Sequence, residues 1–482
     1  MTPKLKNAVN GRQTKHLNDR CNVVCARSDK WPGMQKRMKG EQMTINKNNE
    51  LKEDQKKAME AIMSGKNVFV TGGAGTGKSH LVKRVVEELS DAGKNVMVCA
   101  PTSGAALLID GVTIHSGFGY AFGPALTGAN KLAIRTRDTI KNADVIIIDE
   151  VSMVRCDLMD SIAASISTAA KYSRRPKQII VFGDFAQLPP VIKNDGTREV
   201  LEKYYRRDIG CGFAFLGDAW DRMHFETVCL TEVIRQADTE FAAKLNMIRT
   251  GNPDALDFIN NNASYVPDPG SVTLFATNPE ANALNRKKLD DLKGSIIKFN
   301  PITEGAVSNE QDNETISLKT GARIIITSNY NQDFAEQIAG VVKSGNFANG
   351  TQATVINAVH DPLNPIKDCI IAELDDGRKY KINRQRNDIC GYRIDEYGDL
   401  QRIVEGSIYQ IPIKLGYGIT VHRSQGATFD SVNLDPSFKY KNSGQIYVAL
   451  SRIRSLSGLN LIREISKSNL YVDPAVRKLY SF

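Results

Sequence analysis

One octapeptide constrains this chain more than any other feature: Gly72-Gly73-Ala74-Gly75-Thr76-Gly77-Lys78-Ser79. It fits G-x-x-x-x-G-K-[ST], follows the apolar run NVFVT (67–71) and opens the stretch KSHLVKRVVEEL. In the order strand, glycine loop, helix, backbone N–H groups can turn inward around a β-phosphate without Cβ clashes. The helix N-terminus favours the anion, and Lys78 adds a point charge toward the β- and γ-phosphates. Ser79 offers a hydroxyl to Mg²⁺. The motif predicts a nucleoside triphosphate held by Gly73, Ala74, Gly75, Thr76, Gly77, Lys78 and Ser79.

The surrounding pattern says what carries that loop. NVMVCA (95–100), DVIIID (144–149) and QIIVFGD (178–184) are further continuous β-branched runs, suited to parallel strands buried on both faces. Amphipathic helical stretches such as 78–90 and 156–170 lie between them, the βαβ rhythm of a doubly wound domain. VTLFATN (272–278) restarts the rhythm, which predicts a second α/β domain. Between 322 and 412, RIIITSN, QATVINAV, DCIIAEL and RKYKINR are short strands separated by Gly, Asn and Asp turns. The first of these is assigned to the second sheet and the rest to a small β-barrel insertion near 335–410. The expected domains are a basic extension over 1–45, a first α/β domain over 46–235 with a small insertion near 116–135, and a second over 236–482.

Charge locates rather than identifies the partner. The net charge is +9, but residues 1–40 carry ten Lys/Arg against two Asp, so the remaining 442 residues are balanced to within one charge. The extension reads as a solvated, disordered tail or an auxiliary DNA-binding arm. Its Cys21, Cys25 and His16 lack a fourth zinc ligand at a usual spacing. No apolar run reaches the roughly 18 to 20 residues that span a bilayer. The eight cysteines include no C-x-x-C pair, so reduced thiols and an intracellular location are expected: cytoplasmic in a prokaryote or virus, nuclear or mitochondrial in a eukaryote.

Asp149-Glu150 ends the buried run VIIID, where an Asp can hold Mg²⁺ through water and a Glu can take a proton from attacking water. Gln187, in GDFAQLPP (183–190), has an amide that could sense the γ-phosphate or the lytic water; taken alone it reads as an ordinary loop amide. Arg235 in LTEVIRQ and Arg452 in YVALSR are candidates for stabilising charge on the transferred phosphoryl group.

Read in order, nine blocks resemble those of superfamily 1 helicases, and most closely the 5′→3′ PIF-type DNA helicases, with RecD- and Dda-type enzymes more distant. The blocks are Leu51-x-x-Asp54-Gln55, the phosphate loop, APTSGAA (100–106), TIHS (113–116), DEVSM (149–153), GDFAQLPPV (183–191), LTEVIRQ (230–236), TVHRSQG (420–426) and YVALSR (447–452). They cover roughly residues 51–462. The resemblance implies an α/β fold of two tandem RecA-like domains with ATP between them and a Src-homology-3-like barrel in the second. It implies a DNA-dependent ATPase using ATP and Mg²⁺. Gln55 would read adenine, Lys78 and Ser79 would hold phosphate and Mg²⁺, and Asp149 would be the second metal contact. Glu150 would be the base, Gln187 the γ-phosphate coupler, and Arg235 and Arg452 the two fingers, with Gln425 and Gly426 near the γ-phosphate. Arg423 departs from the family, where Lys is common, and the stretch GFGYAFG (117–123) is aberrant.

Thr102, Ser103, His115 and Ser116 in the first domain, and Thr420 and His422 in the second, are candidate contacts to single-stranded DNA; capping or packing is the alternative for each. Phe118, with Tyr120 and Phe122, is a candidate stacking or wedge residue, or else core. The expected partners are single-stranded DNA and single-strand/duplex junctions, with G-quadruplex or DNA–RNA hybrid as further substrates, no membrane, and a monomer on DNA. A protein-displacing translocase or a RecD-like subunit of a nuclease–helicase complex is the alternative function.

Overall fold

The apolar runs become the strands of one all-parallel sheet: β1 (Val68–Gly72), β2 (Val96–Ala100), β3 (Val112–Thr113), β4 (Val145–Ile148), β5 (Gln178–Phe182) and β6 (Glu226–Leu230), in the order 3-2-4-5-1-6. The structure is a computed structural model; it describes residues 51–482 except 122, 128–133, 172, 174–175, 193–195, 234–237, 306, 308–313, 329–349, 376, 437–441 and 482. The basic extension, Phe122, Arg235 and part of the expected barrel therefore lie outside the described residues. β1, β4 and β5 are buried along their whole length, as a sheet covered on both faces requires. Helix α1 (Glu53–Met63) precedes the sheet, and α2 (Lys78–Asp91) buries Leu81, Val82, Val85 and Leu89 against it, one face at helical spacing.

The strand order positions the site. β4, β5 and β1 are neighbours, so the loops leaving their carboxyl ends emerge side by side at about 4.8 Å strand spacing. Those loops carry Asp149-Glu150, Gly183–Gln187 and the phosphate loop, which places all three at the edge where open α/β sheets bind ligands.

A second parallel sheet contains β7 (Val272–Phe275), Gly418–Thr420, Val432–Leu434 and Leu459–Leu461, with its own core of Leu274, Phe429, Leu434 and Leu461. The strand Arg323–Ile326 corrects an expectation. It does not join this sheet but pairs antiparallel with Gln352–Val359 and Ile413–Leu415, inside a five-stranded sheet completed by Cys369–Leu374 and Lys379–Asn383. Ile324 and Ile326 pack with Val355, Ile370 and Ile382, so the antiparallel pairing follows the burial of those side chains. A three-stranded sheet joins Ile302–Gly305 to the long hairpin Gln385–Ile394 and Leu400–Gln410. That hairpin returns to the first domain: the Tyr392 hydroxyl accepts from the Val98 N–H at 3.1 Å. Among the described residues no helix is long and apolar enough to cross a membrane.

The last helix, Pro474–Tyr480, also returns. Val472 and Val476 pack into the first domain's core, so the chain passes between the two sheets more than once.

Candidate active site

The phosphate loop is built as its sequence requires. Gly77 is the N-cap of α2 with φ 80°, a left-handed conformation that glycine adopts without a Cβ penalty. The Thr76 hydroxyl donates to Gly73 O at 3.0 Å, closing the loop on itself. Gln55 is buried beneath it; its amide donates to Thr76 O at 3.2 Å and accepts from the Lys52 N–H at 3.1 Å. The Lys78 ammonium is folded back onto Gly72 O at 2.8 Å and Gly73 O at 3.0 Å. Loss of solvent lowers its pKa, opposed by the carboxylates of Asp184 and Glu150. Its donors are thus held by two loop carbonyls at the place where phosphate oxygens would be better acceptors.

Asp149 is 3% exposed, and its Oδ1 accepts from the Glu150 N–H at 2.8 Å. Burial first, and the Glu150 charge second, raise its pKa; Lys78 and the Ser79 hydroxyl pull the other way. Ser79 and Asp149 together are a pair of hard oxygen donors, and that donor set fits Mg²⁺. Glu150 holds φ 51° and ψ 44°, a left-handed conformation that a non-glycine residue adopts at a cost of roughly 1–3 kcal/mol. Its Oε2 is shielded from solvent and meets no hydrogen-bond donor among the described residues. A carboxylate oxygen that meets no donor among the described residues and lies within electrostatic reach of Lys78 is suited to take a proton from water.

The second domain closes the site from the other side. Gln187 is buried, with its N–H donating to Asp184 O at 2.9 Å. Arg249, at the end of helix Thr239–Arg249, grips Asp184 through Nε to Oδ2 and Nη2 to Oδ1, both at 2.9 Å. The Tyr447 hydroxyl accepts from the Ala74 N–H of the phosphate loop at 2.6 Å. Arg452 is 3% exposed, and its guanidinium donates to Val448 O, Ser424 O and Ala427 O, which ties it to the loop that carries Gln425 and Gly426. Both polar atoms of the Gln425 amide are shielded and find no partner among the described residues. The structure brings together Gln55, Gly73–Ser79, Asp149, Glu150 and Gln187; Arg235 is outside the described residues.

The nucleic-acid candidates divide. Thr102 is exposed but caps the helix Ser103–Leu108 by accepting from the Ala105 N–H at 3.2 Å; Ser103 is half-buried in its first turn. His115 is half-buried, and burial, then the Arg155 cation, lower its pKa, leaving a neutral ring at neutral pH. The Ser116 hydroxyl donates to Cys390 O of the returning hairpin at 3.1 Å. His422 is half-buried, with its pKa lowered by burial. Two assignments are corrected. Thr420 is 3% exposed and its hydroxyl closes a turn by accepting from the Arg423 N–H at 3.2 Å, so it is not displayed to a strand. Phe118 is fully buried, stacked on Tyr120 at 5.6 Å within the first core, because its short helix Ile114–Phe118 turns that ring inward. Phe118→Ala should therefore cost roughly 3–5 kcal/mol of stability. Chemical denaturation will read that loss; weakened DNA binding with unchanged stability would reverse the assignment.

A family model for PIF1-like helicases matches residues 50–255. The ATP-dependent DNA helicase Pif1 of Bdellovibrio bacteriovorus is 31% identical over 450 residues, covering 89% of this chain and 92% of that protein. The chain belongs to the PIF1-like helicase family. Its fold matches the crystal structure of Bacteroides sp Pif1 in complex with ADP-AlF4 at TM-score 0.74 and 29% identity, over 90% of this chain and 96% of that one. The Bacteroides Pif1 structure bound to ssDNA matches at TM-score 0.61 and 30% identity, over 90% and 96%. In this PIF1-like helicase the two parallel sheets are the cores of RecA-like domains.

Sequence reasoning about this family member missed Asp184, Arg249, Tyr447 and Tyr480. Asp184 and Tyr447 sit inside blocks already singled out, GDFAQLPP and YVALSR. Arg249 and Tyr480 carry no pattern of their own, and only the fold brings them to the phosphate loop.

Proposed function

We infer that this chain is an ATP-dependent DNA helicase that translocates 5′→3′ on single-stranded DNA and opens duplex at a junction. The observation that carries the reading is the meeting of Lys78, Asp149 and an unsatisfied Glu150 at the shared edge of β1, β4 and β5, with second-domain groups against the same loop. Phosphoryl transfer needs little covalent help, so positioning and charge do most of the work. Lys78 leaves its loop carbonyls for the phosphates, Glu150 orients and deprotonates the water, and Gln187 registers the γ-phosphate. Ser79 and Asp149 would hold Mg²⁺, which when bound draws charge from the β- and γ-phosphates. Arg235 and Arg452 add positive charge as the domains close. Alternating closure and opening then shifts the grip on the strand.

The test compares unwinding of 5′-tailed, 3′-tailed and forked duplexes with ATP and Mg²⁺. Opening of the 5′-tailed and forked substrates, together with ATP turnover that rises on adding single-stranded DNA, is the expected result. Preference for the 3′ tail would overturn the polarity, and full turnover without nucleic acid would overturn the coupling.

A further inference from the structure

A buried ion pair sits beneath the phosphate loop, and none of the roles above uses it. Asp184 is fully buried and Arg249 is 6% exposed, and the two make a fork-on-fork contact at 2.9 Å through both oxygens. Such a contact fixes orientation as well as distance, because a planar guanidinium and a planar carboxylate fit in one way. The two residues come from different domains: Asp184 follows β5, three residues before Gln187, and Arg249 ends the first helix of the second domain.

Two tyrosines enclose the pair. Tyr447 bonds Ala74 N–H at 2.6 Å and faces Asp184 Oδ2 at 3.4 Å. Tyr480 lies under the Arg249 guanidinium at 5.0 Å, shares a 2.8 Å hydrogen bond with the Thr71 hydroxyl at the end of β1, and accepts from the Phe185 N–H at 3.0 Å. Close backbone packing adds a further tie. Gly444, the N-cap of the short helix Gln445–Leu450, has φ 71°, and a Cβ there would lie 2.1 Å from Ala186 O and 2.7 Å from Gln187 O. Arg452 follows the C-terminal end of that same helix.

We propose that Arg249, enclosed by Tyr447 and Tyr480, is a positioning residue of the ATPase reaction: each time the two domains close, its grip on Asp184 seats the Gln187 loop and the Arg452 helix against the phosphate loop in one register. The γ-phosphate sensor of the first domain and the arginine of the second then approach the nucleotide in fixed register. Tyr447 is a point at which the second domain touches the loop, and Tyr480 is the brace that holds Arg249 in plane. This rests on the ATPase reading of the site.

Removing Arg249 outright would strand a buried carboxylate and can unfold the chain, so the test removes hydroxyls only. Tyr447→Phe and Tyr480→Phe keep the rings. ATP turnover is measured on the full chain with saturating single-stranded DNA over a range of ATP, alongside thermal unfolding. Tyr447→Phe should lower kcat by about fivefold or more with KM for ATP changed less than about twofold, since the lost bond orients rather than binds. Tyr480→Phe should lower kcat less, and the double variant should lose less than the product of the two, because both hydroxyls serve one ion pair. A Tyr447→Phe protein with kcat within about twofold of the parent, whatever its melting temperature, overturns the proposal. So does a matched rise in KM without loss of kcat, which would make Tyr447 a nucleotide contact. A parent chain without DNA-stimulated turnover would overturn the helicase reading and this inference with it; a stimulated parent with an unaffected variant overturns this inference alone.

Discussion

Lys78→Ala should reduce DNA-stimulated ATP turnover by about 10²–10³-fold and leave no measurable unwinding of a 5′-tailed duplex. The magnitude follows from the charges around the loop. Asp149 and Glu150 face Lys78, and Asp184 is already committed to Arg249. With Lys78 gone, a triphosphate would enter a cleft whose nearest uncompensated groups are carboxylates, and the charge built on the phosphoryl oxygens would lose its closest cation. The fold should survive, because among the described residues the Lys78 ammonium bonds only the carbonyls of its own loop, Gly72 and Gly73. A far-UV circular dichroism spectrum matching the parent would separate lost chemistry from lost structure. A Lys78→Ala protein that still unwinds DNA would refute the site.

Glu150→Gln should lower kcat by about 10²–10⁴-fold while nucleotide still binds. Glutamine keeps the shape and accepts the same left-handed backbone, but cannot take a proton from water. Binding should be unchanged or tighter, because one negative charge beside the phosphates is gone. A second consequence concerns Asp149. The Glu150 charge is one reason that the Asp149 carboxyl is hard to ionise, after burial itself. Neutralising Glu150 should bring the Asp149 pKa down, so Mg²⁺-dependent nucleotide binding should persist to lower pH in the variant than in the parent. Fluorescent-nucleotide titration with Mg²⁺ across pH reads that shift, and single-turnover hydrolysis reads the kcat. If turnover stayed within threefold of the parent, the proton would have to go to another group.

Much of this was legible from residue order, for identifiable reasons. NVFVT, DVIIID and QIIVFGD are continuous apolar runs, and a strand buried on both faces admits little else, so three central strands were read within a residue or two. The phosphate loop was legible because its glycines answer a steric demand that few other residues meet. Positions whose fate depends on which way a short element turns were less legible. Phe118 and Thr420 stand in blocks that resemble DNA-contact segments, yet one ring points inward and one hydroxyl closes a turn. The strand Arg323–Ile326 lies outside its expected sheet, because an apolar run of three residues does not encode its partner.

Local sequence determined the nucleotide loop, the strands that carry it and the acidic pair, since each answers a demand met within about ten residues: a tight turn, a two-sided burial, a charge at a strand end. The tertiary structure alone decided that Arg249 and Tyr480, 65 and 296 residues from Asp184, meet it beneath that loop. A buried carboxylate must find a cation wherever the folded chain can bring one, and nothing in the neighbouring residues says where that will be.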